Sequence, residues 1–286
     1  MTMKRVKMSG FGLALLAMLA VTGCQQMDHP ALGDYPEDEN PAGGPLKFYV
    51  NFDRESDNPL MRAVDETRAK FPTENNFTSG EGISGSGVWG VTDKMISYPK
   101  PNDWGATADS FTVSFWEKHN GQTKNGANPG AEHVFSIPSS NGHWSGATMF
   151  LLFDAAPTTT AAAVKFVMVD KNMADTWMTW EGGNSIEGII DNQWHHFVFT
   201  YNATTSDFTM WIDGVNKGTK TWTGHGALNL DDSKISGFRI GNGPQSQNDG
   251  GDNWLYSNWK GGLDQFRLYN TVLTEAEIQD LFTNKK

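Results

Sequence analysis

Short alternating runs of apolar and polar residues, cut by clusters of Gly, Asn, Asp and Pro, dominate the chain from Pro45 onward. Successive side chains on a strand point to opposite faces, so each such run can bury one face. Phe111-Thr112-Val113-Ser114-Phe115-Trp116 keeps this alternation cleanly. Leu46 to Phe52, Ala147 to Phe153, Val164 to Val169, His195 to Tyr201, Phe208 to Ile212, Ile235 to Ile240 and Leu263 to Tyr269 read as further strands. Asp213-Gly214 after a strand predicts a two-residue hairpin turn, whose central residues both need positive φ. Helix signals are few. Arg62 to Lys70 reads as one short helix, and the capping box Thr274-x-x-Glu277 ahead of Ile278, Leu281 and Phe282 predicts another at the C-terminal end. No segment recurs at a fixed period. Many strands and few helices predict an all-β fold: two antiparallel sheets packed as a β-sandwich (jelly roll), with a short C-terminal helix.

The first residues have a different character. Lys4, Arg5 and Lys7 precede an uncharged apolar run from Phe11 to Val21, which is too short to span a bilayer and reads as a signal peptide over residues 1–23. Val21-Thr22-Gly23-Cys24 resembles the bacterial lipobox, which implies lipidation of Cys24. Cys24 is the chain's one cysteine, so no intramolecular disulfide can form. Residues 24–44 hold Pro30, Pro36, Pro41 and Gly43-Gly44 without a hydrophobic period and read as a flexible tether ahead of a folded domain over 45–286. The expectation is a cell-envelope lipoprotein attached to the membrane through its lipid alone. Gln25, in place of Asp, is compatible with sorting to the outer membrane. The chain carries 22 basic and 33 acidic side chains. Without Lys4, Arg5 and Lys7 the formal charge falls from −11 to −14. Such a surface repels phosphate backbones, which excludes nucleic acid as a partner, and it favours bound cations.

Two stretches resemble a known family. Gln193 to Tyr201 (QWHHFVFTY), followed by Phe208 to Gly214 (FTMWIDG), is similar to the central hairpin of laminin-G-like jelly rolls. Gly261 to Asn270 (GGLDQFRLYN), with Leu273 and Glu277-Ile278, is similar to their closing segment. Phe111 to Trp116 and Tyr49 to Asp53 match two further strands, so the resemblance runs from Pro45 to Phe282. It implies the concanavalin A-like fold. That fold hosts lectins, adhesion modules and glycosidases, so function has to be argued from the site. The resemblance also implies a structural Ca2+ held by Asp264, Asp53 and the Glu81-to-Gly87 loop, whose carbonyls can supply the remaining oxygens. Asp264 shares parity with Phe266 and Leu268, so a regular strand would place it on their side, where a carboxylate needs a partner or a cation. The alternative is that Asp264 caps a turn or pairs with Arg54 or Arg267.

Other constellations carry less. His195 and His196 are adjacent and point to opposite faces of a strand, so they cannot ligate one ion together; the resemblance makes Trp194-His195-His196 a structural motif packed against the opposite sheet. Asp231-Asp232 and the Asp249-to-Asp252 run lack an EF-hand pattern and read as solvated turns. No Glu-x-Asp-x-x-Glu run of the laminarinase type is present, which favours a non-catalytic protein. The positive signal is aromatic: the chain has eleven tryptophans. Three groups sit in polar, Gly-rich surroundings: His143 and Trp144; Trp177 and Trp180; and Asp252, Trp254, Tyr256 and Trp259. Sugar rings present C–H faces that stack on indoles, while short polar side chains bind hydroxyls. For any single tryptophan the competing reading is a loop core. The loop from Gly241 to Trp259 is long for a compact domain, which marks it as functional. It is expected to form a sugar platform with the Asn141-to-Trp144 loop. The function expected is capture of polysaccharide or glycan, with partner proteins of a glycan-uptake system; the alternatives are a glycoside hydrolase or lyase on the same fold, or a protein-binding adhesion module.

Overall fold

The alternating runs become strands of two antiparallel sheets in the computed structural model, which describes residues 44–53, 77–120, 130–155, 158–245 and 253–285. Residues 1–43, with the signal peptide, Cys24 and the tether, lie outside the described residues, as do Arg54 and the expected helix from Arg62 to Lys70. The larger sheet has eight strands. They are β1 (Leu46–Val50), β2 (Thr78–Glu81), β3 (Ser86–Trp89), β5 (Phe111–Asn120), β10 (Asp191–Asn202), β11 (Asp207–Ile212), β12 (Val215–Thr221) and β14 (Gly262–Tyr269). Their order is β12-β11-β10-β5-β14-β3-β2, with β1 also paired to β14. The smaller sheet has six: β4 (Ile96–Tyr98), β6 (Glu132–Pro138), β7 (Ala147–Ala155), β8 (Ala162–Val169), β9 (Asp175–Trp180) and β13 (Phe238–Ile240), in the order β4-β13-β6-β7-β8-β9. The hairpin between β11 and β12 turns on Asp213 (φ 54°) and Gly214 (φ 75°), as the dipeptide predicts.

Phenylalanines from both sheets fill the space between them. Phe115 stacks on Phe197 and Phe266 at 5.7 Å within the larger sheet, and Phe266 meets Phe135 of the smaller sheet edge-on at 5.4 Å. The helix Glu275–Asn284 starts at the expected capping box, with Thr274 accepting from the Glu277 N–H. It covers the outer face of the larger sheet, where Ile278 joins Leu46, Val198 and Tyr269, and Phe282 stacks on Trp116 at 5.7 Å.

Two sequence expectations are corrected here. The Trp194-His195-His196 motif does not pack against the opposite sheet; Phe197, Phe199 and Tyr201 do. His196 is buried beneath the C-terminal helix, beside Trp116 and Phe282, with Nε2 bonded to Ser114 Oγ at 2.9 Å. His195 is held by Asp213 (2.8 Å) and Asp191 (3.2 Å), and Trp194 packs edge-on against Trp89. Asp264 does not share a face with Phe266 and Leu268. Gln265 adopts φ 48° and the register slips between Asp264 and Arg267, so one bulged residue resets the alternation. Leu263 and Phe266 both enter the core, while Asp264 turns to the face of its cross-strand partner Trp116.

Candidate functional site

The outer face of the smaller sheet is built by the odd-numbered residues of β8 and their partners. Phe150, Val167 and Trp177 lie across β7, β8 and β9 in register, and Leu152, Lys165 and Thr179 form the next row. Phe150, Leu152 and Val167 form a second apolar cluster with Ala131, Ala147 and Val169, separate from the main core. No helix covers it. Part of its cover is the loop between β13 and β14, described at residues 241–245 and 253–261.

That loop is pinned at both legs. Arg239 donates to the carbonyls of Gly243, Pro244 and Gln245 at 2.8–3.1 Å. Ser136 Oγ donates to the Asn242 carbonyl, and Asn242 Nδ2 donates to the Tyr256 carbonyl. The two legs approach so closely that a Cβ on Gly243 would lie 2.1 Å from the Leu255 carbonyl oxygen. Trp254 is thereby laid on the sheet, parallel to the His133 ring at 6.1 Å and beside Phe150. Burial pushes the His133 imidazole down to about 3, so the ring under Trp254 is neutral. The expected meeting of this loop with the Asn141-to-Trp144 loop is observed: Gln245 Nε2 donates to the carbonyls of Trp144 (3.3 Å) and Ser145 (3.4 Å).

Three indoles from three separate segments meet at this point. Trp144 and Trp177 are parallel (3°) with ring centres 6.3 Å apart, and Trp254 lies 6.1 and 6.2 Å from them at about 50°. Trp144 is 52% exposed and Trp177 37%, so both keep a ring face towards solvent. Met173 is also exposed and lies close to Gly142, extending the apolar rim. Beside the indoles is a recess of about 240 Å³ lined by Ala131, Leu152, Asp154, Lys165, Trp177 and Trp254. Lys165 Nζ stands 3.0 Å from Asp154 Oδ2 and 3.0 Å from Glu181 Oε2. Burial alone would lower the Lys165 pKa, but the bonds to Glu181 and Asp154 outweigh it and raise it. Lys165 in turn holds the Glu181 carboxyl below its usual range. A general acid must keep its proton at the working pH. At Glu181 the ion pair favours the ionised form, so the pair offers one cationic donor and one anionic acceptor.

The other residues expected at the site fall elsewhere. His143 is mostly buried beneath Trp144, with Nδ1 bonded to Ser145 Oγ (2.8 Å) and Nε2 3.4 Å from Asp175, so it positions the loop. Tyr256 is half-buried and serves the loop through its carbonyl. Trp180 and Trp259 are core residues: Trp180 packs on Phe208, and Trp259 is fully buried against Phe153 and His119. Strand parity explains Trp180, since Trp177 and Trp180 are three apart and point to opposite faces. Asp252 lies outside the described residues. Sequence reasoning missed Asp154 and Lys165. The signal was available, because Lys165 is the one charged residue of Ala162–Val169, on the parity opposite to Val164 and Phe166.

On the larger sheet, Asp53 and Asp264 converge on the Gly82-to-Ser86 turn. Asp264 Oδ2 accepts from the N–H of Ile83 (2.9 Å), and Asp53 Oδ1 accepts from that of Ser86 (2.7 Å). The turn-capping alternative for Asp264 is thus present, with Gln265 N–H as a further donor. A Cβ on Gly82 would lie 2.3 Å from Asp264 Oδ2, and one on Gly85 2.2 Å from Asp53 Oδ1, so only glycine lets the turn pass so near both carboxylates. Burial, with Asp53 beside it, pushes the Asp264 carboxyl up to about 7, against the lowering effect of its backbone N–H donors. Among the described residues no three His, Cys, Asp or Glu side chains gather as a metal cluster. A calcium ion here would take Asp53, Asp264 and turn carbonyls. Two carboxylates crowded at a glycine turn fit a divalent cation, which would relieve the charge both burial and repulsion oppose.

A search of curated proteins found no match to this chain. Among solved structures, Domain 4 of the extracellular arabinanase AbnA from Geobacillus stearothermophilus, in complex with arabinotriose, is 15% identical, with a TM-score of 0.49 over 83% of this chain and 98% of that one. The CBM40 of Ruminococcus gnavus IT-sialidase gives 10% identity and a TM-score of 0.45 over 68% and 96%. A heptameric SAP-like pentraxin from Limulus polyphemus gives 14% and 0.44 over 72% and 80%. The family model described as the concanavalin A-like lectin/glucanases superfamily matches residues 92–279, from ahead of β4 into the C-terminal helix, and the chain belongs to that family.

Proposed function

We propose that this protein binds carbohydrate at the three indoles Trp144, Trp177 and Trp254 and the recess beside them, without cleaving it. The observation that carries the reading is the convergence of three indoles from distant segments, two of them exposed, around a pocket with its own charged polar group. An isolated surface tryptophan has many explanations. Three in mutual contact beside a cavity leave an apolar surface open to water, which a pyranose C–H face can cover. Asp154, Lys165 and Glu181 then supply hydrogen bonds to ring hydroxyls. Ca2+ at Asp53 and Asp264 belongs to the same proposal as a structural ion on the other sheet. So does anchoring through a lipid on Cys24 in the cell envelope, supported by the basic start, apolar core and lipobox-like residues.

The test uses two substitutions with opposite expectations for stability. Trp144→Ala removes an exposed ring, so the melting temperature should hardly move while glycan affinity falls by roughly 1–3 kcal/mol, by analogy with base–aromatic stacking. Trp254→Ala removes a ring packed on His133 and Phe150, so it should lower both affinity and stability, the latter by up to about 3–5 kcal/mol. Unchanged binding to a glycan array by folded Trp144→Ala and Trp177→Ala proteins would sink the proposal.

A further inference from the structure

Glu117 lies near the end of β5 as a fully buried carboxyl. Its Cα partners are His195 on β10 and Leu263 on β14, so it continues the inward row of Val113 and Phe115. Among the described residues neither of its oxygens has a hydrogen-bond partner. An ionised carboxylate left in that state is costly, so the group calls for a physical account. The charged groups that face it are bonded to one another. From β10, His195 is held by Asp213 (2.8 Å) and Asp191 (3.2 Å). From β6, Glu132 presents a second buried carboxylate, bonded to His119 Nε2 (2.8 Å) and the Lys260 N–H (3.0 Å), with Lys260 Nζ at 3.5 Å. On β5 itself, His119 turns Nε2 to Glu132 and leaves Nδ1 without a partner. Burial first, and then the charges of Asp213, Asp191 and Glu132, hold the Glu117 carboxyl well above the usual carboxylate range. Glu117 is therefore a neutral acid where ordinary carboxyls are ionised, and its proton spares Glu132 a like charge. Glu132 stands at a junction. Its neighbours Ala131 and His133 point to the opposite face of the sheet, where Ala131 lines the recess and the His133 ring lies under Trp254. Its carboxylate also holds Lys260, on the exit leg of the loop that carries Trp254. A force on Glu132 thus reaches the indole site through the strand end beneath it and through the loop laid over it.

We infer that Glu117 is a proton latch for the indole site: protonated, it lets Glu132 hold the start of β6 and the loop leg at Lys260, and ionised, it repels Glu132 and loosens both, so that glycan is bound at low pH and released as pH rises. The glycan half rests on the carbohydrate-binding reading of the three indoles; the latch itself does not. A carboxyl whose folded value is raised stabilises the closed arrangement fully below its unfolded value, and that contribution is lost as pH rises through the folded one. Hydrogen exchange read by mass spectrometry on the purified full chain, at about pH 5 and about pH 9 and corrected for intrinsic rates, tests the latch without a ligand. At the higher pH, wild-type peptides covering Ala131 to Phe135 and Leu255 to Gly262 should lose protection by at least about tenfold, the change carried by one unit of pKa difference. The central strand β8 should keep its protection. Glu117→Gln, which cannot ionise, should stay protected at both values, and Glu117→Met serves the same comparison if the amide does not fold. A wild-type chain equally protected at both values, or losing protection evenly along its length, overturns the latch with no variant needed. So does a Glu117→Gln chain that opens as the wild type does. Wild type, Glu117→Gln and Trp144→Ala are then compared on an array of cello-, manno- and xylo-oligosaccharides at the two pH values. Binding that Trp144→Ala weakens should fall by about tenfold towards the higher pH in wild type and stay level in Glu117→Gln. Level binding in the wild type breaks the link between latch and site. If no member shows Trp144-dependent binding at either pH, the carbohydrate reading falls, and the exchange result alone decides the latch.

Discussion

Asp264 carries its charge against two opposing effects, burial and the nearby Asp53, which together push its carboxyl up to about 7 from an ordinary value near 3.8. A group that holds its proton more tightly folded than unfolded contributes stability that is fully present below the unfolded value. That stability is lost as pH rises through the folded value, by about 1.4 kcal/mol per pH unit within the window. His133 and His196, both pushed down to about 3 by burial, act in the opposite sense, losing stability as pH falls below their ordinary 6.5. Comparison with Asp264→Asn cancels them. In chelator, the melting temperature of the wild type relative to that variant should fall between about pH 4 and pH 7. With calcium the decline should flatten, because the ion favours the ionised carboxylate; identical curves with and without calcium would count against the metal. At this scale the sequence was only partly legible. It singled out Asp264 and Asp53, but strand parity put Asp264 on the wrong face. The cause is one residue, Gln265, whose positive φ inserts a bulge that alternation cannot reveal.

The elements show why the aromatic site was half legible. Strands and the capped helix follow from local alternation and capping, so most of them could be placed from Phe111 onward. β6 was missed because both its faces are buried and bulges break its alternation. The proposed binding residues depend on something else, the path of two loops. Gly-rich composition marked both loops, but which of Trp254, Tyr256 and Trp259 faces the recess is decided by the pinning of the β13–β14 loop by Arg239 and Asn242. A prediction follows at this scale. Gly243→Ala removes no ring and no polar group, yet its Cβ would collide with backbone, the Leu255 carbonyl. The leg bearing Trp254 must move, so glycan affinity should fall by on the order of tenfold, with slower tryptophan-quenching response to ligand; isothermal titration checks it, and wild-type affinity would show that the loop path does not set the site. Thr274→Ala makes the contrast at the other outer face: loss of the capping box should cost about 1 kcal/mol of stability in thermal unfolding and leave affinity alone.

For the whole molecule, the proposed duties fall on separate sheets. The eight-stranded sheet bears the C-terminal helix and the Asp53–Asp264 turn, and the six-stranded sheet bears the indoles. The sandwich was legible because two long motifs and the strand count left few other ways to bury so many phenylalanines. The proposed anchor is tested apart from the fold: Cys24→Ser should abolish palmitate labelling and leave the precursor unprocessed, and normal labelling would refute it. β1, the first of the described strands, lies on β14 of the eight-stranded sheet, whereas the recess opens from the outer surface of the other sheet. Sheets in a sandwich stand about 10 Å apart with the core between them. Contacts made at one outer face of the sandwich therefore leave the other face open. A polymer lying across the indoles would leave the eight-stranded sheet's outer face uncovered, so several domains could share a single strand of it without any contact between their folds.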